Sequence, residues 1–359
     1  MPSLSRFALV CAVAAAAGCS EPRHPPTIML NRPGDTVITA FVEVPEAAWI
    51  GDQRWAVVAP SDSTVAVVDF KTRKFAPFAA AKAAELSRPF SIFTVRGDTV
   101  YVGDWARRRI TVWTAGGQLV DSVPAPDLTR GTLPVARDAS GRWYAERPPA
   151  PKPRGAANRD STVVLRLSND LQQADTVAAL APLDVVSVQG EQGNRLERRV
   201  FSGNDVWGAL PDGTVWLARV NANRVLWIAP DGSVTRGEAL PDRVLQVTAE
   251  DRELFAQRFP PELRSNAQQL PFAIVKPPFV RGFTDPDGNV WLEKSRSIVD
   301  TVQSYQQVDR KGQLVRELQL PGWGKILGVA NGRALVAENF KDGVRLLQVS
   351  IPPVDSLSR

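Results

Sequence analysis

Two stretches, LPDGTVWLAR (210–219) and DPDGNVWLEK (285–294), set a Pro-Asp-Gly turn before an alternating run with Trp at the same offset. Alternation of apolar and polar positions is the period of a strand with one buried face, and Asp-Gly supplies the positive φ that a tight hairpin turn requires. The pattern recurs in GDQRWAVVAP, GDTVYVGDW, SGRWYAER and NGRALVAEN, giving six copies. Aligned on Trp55, Tyr101, Tyr144, Trp216, Trp291 and Leu335, they stand 46, 43, 72, 75 and 44 residues apart. A second turn follows in TAGGQ (114–118), APDGS (229–233) and DRKGQ (309–313), and then a short strand that runs to proline. Each unit therefore predicts strand, turn, aromatic strand, loop, strand, turn, outer strand. Proline suits the outer position, because an edge strand can spare a ladder donor.

A unit of four short strands cannot bury its faces alone and must stack on its neighbours. The last copy, KILGVANGRALVAENFKDGVRLLQVSIPP (325–353), holds three strands only, whereas DTVITAFVEVP (35–45) has the alternation and proline ending of an outer strand. The fold expected is all-β: a six-bladed β-propeller closed by an N-terminal strand that completes the last blade, with one short helical insertion. Closure leaves no long unpaired sheet edge. Two sandwich domains would also supply short strands, but give no reason to repeat one aromatic offset. The stretch GDTVYVGDWARRRITVWTAGGQLVDSVP (97–124), with its Gly-led start, Tyr-Val-x-Asp, Arg-Ile and Gly-Gly turn, resembles a blade of the NHL-repeat propellers.

The first residues stand apart. RFALVCAVAAAAGCS reads as a basic n-region, a short apolar run and a small-residue cleavage site, and the run is too short to span a membrane. Ala16-Ala17-Gly18-Cys19 resembles the bacterial lipobox, which implies a lipid on Cys19, and Ser20 resembles lipoproteins sent on to the outer membrane. The expected organisation is a signal peptide over 1–18, a lipidated, proline-containing tether over 19–34 and the propeller over 35–359. The implied location is the outer membrane, facing the periplasm or the exterior, with the bilayer as one partner. Cys11 would be lost with the signal, so no disulfide forms within the mature chain. His24 lies in the tether, and from Gly34 onward the chain has no Cys, His or Met.

That composition excludes Ser-His-Asp and Cys-His nucleophile systems and zinc sites built on thiolate or imidazole. The formal charge of +5 falls to +4 without Arg6, with both signs interspersed. The basic clusters at 107–109 and 195–199 are short, so no nucleic-acid partner is expected, and the chain reads as a monomer. GWGKILG (322–328) precedes a strand, not the helix that a phosphate cradle needs.

In such a ring the tight turns share one face and the second-to-third-strand loops share the other with the links between blades. The long insertions, 147–160, 184–205 and 242–279, all fall on this second face. Within the last, TAEDRELFAQRF (248–259) reads as a helix capped by Thr248 and stopped by Pro260-Pro261, a candidate lid or partner contact. The second strands end on the same face with Asp104, Glu146, Arg219, Glu293, Lys294 and Glu338, and Trp105, Asn221, Asn223 and Asn339 lie beside them. These residues form a candidate mouth for a protein, peptide or glycan. The expectation is a non-catalytic binding propeller that needs no cofactor and no metal. The alternative is a metal-dependent lactonase of the regucalcin and gluconolactonase type, which Glu46 before Trp49 resembles. The aspartate which that resemblance requires falls on Val280, and no Asn-Gly strand entry is found.

Overall fold

The repeated turns and strands fold into six four-stranded antiparallel blades in a computed structural model, which describes residues 25–31, 34–78, 86–95, 97–150, 161–190, 193–322 and 324–353. The blades span 46–77, 89–124, 136–179, 206–236, 279–321 and 325–350, and within each the strands pair in sequence order. First strands of neighbouring blades touch all the way round, blade 6 (Lys325–Ala330) meeting blade 1 (Glu46–Trp49). First strands therefore line the centre and fourth strands form the rim. Rim strands such as Lys74–Pro77 and Leu119–Pro124 are exposed and end on proline, where a missing donor faces water.

The aligned residues explain why the phrase repeats. Trp55, Tyr101, Tyr144, Trp216, Trp291 and Leu335 all sit on second strands and are buried. Each enters an apolar cluster shared by two adjacent blades, Trp55 and Leu335 meeting in the one between blades 6 and 1. Tyr101 packs with Trp143 and Leu165 between blades 2 and 3, and Trp216 packs with Phe279 and Leu292 between blades 4 and 5. The large rings approach main chain that only glycine leaves open: a Cβ on Gly328 would lie 2.8 Å from the Trp55 ring. Adjacent blades are thus joined by side-chain burial, worth roughly 25 cal/mol per Å² of apolar area.

Closure follows the expected route. Strand β2 (Asp35–Thr39) pairs antiparallel with Gly343–Ser350 and supplies the fourth strand of blade 6. Val37 then enters the cluster in which Val344 and Leu346 of blade 6 meet Trp55, Val57 and Val68 of blade 1. At the N-terminus the structure departs from expectation: β1 (Thr27–Met29), inside the stretch read as a tether, adds a fifth strand to blade 5, parallel to Leu314–Pro321. Ile28 and Leu30 are buried between blades 5 and 6, and that burial holds a strand too short to be read from periodicity. Residues 1–18, Cys19 and His24 lie outside the described residues.

The two faces differ as the insertions predict. The turn face carries tight connections at 50–53, 138–142, 210–214 and 285–289, with Gly213 and Gly288 at φ 85° and 82°. The loop face carries the long links. Link 180–205 contains a two-stranded ribbon, Val185–Gly190 with Gly193–Arg198. Link 237–278 contains α1 (Ala249–Gln257) and, beyond the single helix expected, α2 (Arg264–Gln268). Thr248 caps α1 reciprocally: its hydroxyl accepts the Asp251 N–H at 3.1 Å, and Asp251 accepts the Thr248 N–H at 3.0 Å. Asp251 also receives Lys276 Nζ at 2.6 Å, which ties the helix to the entry of blade 5. Of the third predicted insertion, 151–160 lie outside the described residues.

Candidate functional site

On the loop face, blades 2, 3 and 4 bound a cleft of about 260 Å³ lined by Phe90, Ser91, Trp105, Thr132, Leu133, Val135, Glu146 and Trp207. Phe90 and Trp207 come from the first strands of blades 2 and 4, so the cleft opens beside the central channel. Trp105 starts the loop after the second strand of blade 2, and Glu146 is the next-to-last residue of the second strand of blade 3. Phe90 and Trp105 are 62% and 55% exposed, the most exposed aromatic rings among the described residues. Trp207 Nε1 donates to Glu146 Oε1 at 2.7 Å, which orients the carboxylate from across the blade interface. Thr132 donates its hydroxyl to the Glu146 main-chain carbonyl, so the wall beneath is fixed as well.

At the channel itself lies a balanced charge cluster. Arg281, on the first strand of blade 5, approaches Glu293 Oε2 at 3.5 Å and Glu46 Oε1 at 3.9 Å, and it donates to the Ile326 carbonyl at 2.6 Å. Arg281 and Glu293 are mostly buried, and their contact is an ion pair without hydrogen-bond alignment. Burial first, and then the neighbouring Arg281, push the Lys325 ammonium down from its ordinary value. Tyr305 Oη accepts the Ile326 N–H at 3.0 Å beneath this group, and burial pushes the phenol up.

This donor set does not fit a divalent cation. The two carboxylates that approach the channel here, Glu46 and Glu293, already face a guanidinium, and a second cation, Lys325, stands with them. Val280, where the lactonase resemblance requires an aspartate, is exposed next to Arg281 and offers no ligand. Among the described residues no three His, Cys, Asp or Glu side chains are grouped to hold a metal.

The mouth residues read from the sequence fall into separate settings. Trp105 and Glu146 meet in the cleft. Asp104 is fully buried and accepts the Ser87 and Arg88 N–H groups at 3.0 Å each, which pins the link into blade 2. Arg219 pairs at 2.7 Å with buried Asp205, which also accepts the Ala181 N–H at 2.7 Å, a parallel tie in blade 4. Asn223 takes φ 43° in its turn and donates to the Leu240 carbonyl at 2.7 Å. Glu293 belongs to the channel cluster. Lys294 is buried 3.1 Å from Asp242, and burial pushes its ammonium down against the pull of that carboxylate. Asn221 and Asn339 are exposed, and Glu338 faces Arg345 at 3.4 Å. Phe90, Val135, Trp207, Arg281 and Lys325 were not singled out by sequence. An aromatic residue at the first or second position of an inner strand is the signal that would have found Phe90 and Trp207.

No family model matches the chain, and no curated protein does. Solved structures of similar shape include a calcium-binding regucalcin from Agrobacterium tumefaciens, 10% identical, covering 91% of this chain and 97% of that one, TM-score 0.44. A gluconolactonase from Xanthomonas campestris is 14% identical, covering 92% and 99%, TM-score 0.43. Virginiamycin B lyase from Staphylococcus aureus is 8% identical, covering 88% and 98%, TM-score 0.45. At these identities the likeness concerns the fold only, and the six-bladed ring stands on this chain's own sheets.

Proposed function

We propose that this chain is a non-catalytic binding propeller of the cell envelope, lipid-anchored through Cys19, which takes its ligand on the loop face. The observation that supports the reading is the cleft of blades 2 to 4. Exposed Phe90 and Trp105 flank a carboxylate that Trp207 holds in place. Rings left in water on a folded surface gain free energy when a ligand covers them, at roughly 25 cal/mol per Å². The body has no histidine or cysteine to serve as nucleophile or base, and its channel carboxylates face Arg281. The long links bring the ribbon and the helices to the same face, where they widen the surface available to a protein, peptide or glycan.

The test is saturable quenching of tryptophan fluorescence by fractionated envelope extract, compared between the wild-type protein and Trp105→Ala. A loss of at least about tenfold in apparent affinity, near 1.4 kcal/mol, is expected for the variant. Equal quenching of both proteins would remove the cleft as the site. Lactone substrates with added divalent cations serve as the catalytic control. Turnover abolished by chelator would replace binding by hydrolysis as the function.

A further inference from the structure

We propose that the group held in the cleft is a quaternary ammonium ion carried by a small molecule. The inference rests on the cleft being the binding site and goes on to name the chemistry of its ligand.

The walls decide the class. Phe90, Trp105, Leu133, Val135 and Trp207 supply aromatic and aliphatic surface, and Glu146 is the one charged side chain that lines the space. Its Oε1 already takes the Trp207 N–H at 2.7 Å, which fixes the carboxylate at the edge of an indole. The Thr132 hydroxyl is spent on the Glu146 carbonyl, leaving Ser91, the Trp105 indole N–H and the carboxylate as the polar groups for a ligand. A sugar ring brings several hydroxyls, each a donor and an acceptor, and few of them would find a partner on these walls. A primary ammonium brings three N–H donors to walls whose side-chain acceptors are the free carboxylate oxygen and the Ser91 hydroxyl. A quaternary ammonium brings charge without donors. Aromatic faces attract it through their quadrupole, and a single carboxylate balances it. At about 260 Å³ the cleft lies just below the usual range of drug-sized pockets, which suits a small head group.

The mature protein is titrated with choline and with tetramethylammonium chloride, followed by tryptophan fluorescence and calorimetry. Lysine, methyl glucoside and sodium chloride at equal ionic strength are the comparison ligands. The expected result is saturable binding of both quaternary ions and at least about tenfold weaker binding of lysine and the glucoside. Trp105→Ala abolishes that binding. Glu146→Gln, which keeps an oxygen for the Trp207 N–H, weakens it at least about tenfold, and circular dichroism confirms that both variants fold. The proposal is overturned if Glu146→Gln binds choline as tightly as wild type, if neither quaternary ion saturates, or if lysine or the glucoside binds equally well. Lysine or glucoside binding that Trp105→Ala abolishes would leave the cleft in place and remove only the ammonium class. Extract quenching that Trp105→Ala leaves unchanged would remove the site itself.

Discussion

In blades 3 and 5 a carboxylate six residues before the aligned aromatic ties the turn to the blade. Asp285 accepts Trp291 Nε1 at 3.0 Å and the Asn289 N–H at 2.9 Å, and Asp138 accepts Tyr144 Oη at 2.9 Å and Arg142 Nε at 2.8 Å. In blade 4 that position is Leu210, and Trp216 Nε1 is buried with no hydrogen-bond partner. Asp285→Ala should cost about 1–3 kcal/mol in urea denaturation, since it strands the Trp291 N–H in the core. Trp216→Phe should cost less than Trp291→Phe, because no hydrogen bond is lost at Trp216. The aromatic offset was legible because it repeats. The cleft was not, because Phe90 and Trp207 sit in ordinary alternating runs, and only the curvature of blades 2 to 4 brings them beside Trp105 and Glu146. Asp104 and Arg219 show the converse: polar strand ends look like a mouth in sequence, yet the incoming link uses Asp104, and Arg219 is held by Asp205 and the end of blade 3.

Among the elements, blade strands could be read because alternation, turn chemistry and spacing agree, whereas β1 could not. Three residues between prolines carry no period, and their stability comes from partners near 318 that no local signal announces. The helix at 249–257 was legible through its cap, and the Lys276–Asp251 pair makes it sensitive to acid. Burial works against the Asp251 carboxylate, but the hydrogen bonds from Lys276 and Thr248 outweigh it and hold its pKa below the ordinary value. A lowered folded pKa means that the contribution is present above about pH 4 and lost as pH falls through the folded value. Pepsin cleavage within 249–270 should therefore appear first as the pH drops below about 4. Asp251→Asn should produce it already at the upper end of pepsin's working range, since the broken pair costs on the order of 3 kcal/mol. Replacing 242–278 by a short turn should fold better with Lys294→Met, because excision removes Asp242 from a buried ammonium.

For the whole molecule, stability depends on the join between blades 6 and 1. A chain starting at residue 32 loses β1 but keeps β2, and it should melt a few degrees lower with the ring intact. A chain starting at residue 40 loses Val37 and the ladder to Gly343–Ser350, and it should melt without cooperativity. Calorimetry of the two truncations distinguishes them. Closure was readable in the sequence because one terminus had three strands and the other had the fourth.

β1 also fixes the side of the ring from which the chain arrives. It runs parallel to Leu314–Pro321, which leads from the turn face to the loop face, so the polypeptide arrives at the rim of blade 5 from the turn side. Seven residues separate Cys19 from Thr27, so the leash of eight residue steps reaches roughly 26–29 Å at full stretch. With an acyl chain on that cysteine, the disc would ride within a leash's length of the bilayer. A lipid at that position, as proposed, would pull on the ring from its tight-turn side, opposite the aromatic cleft.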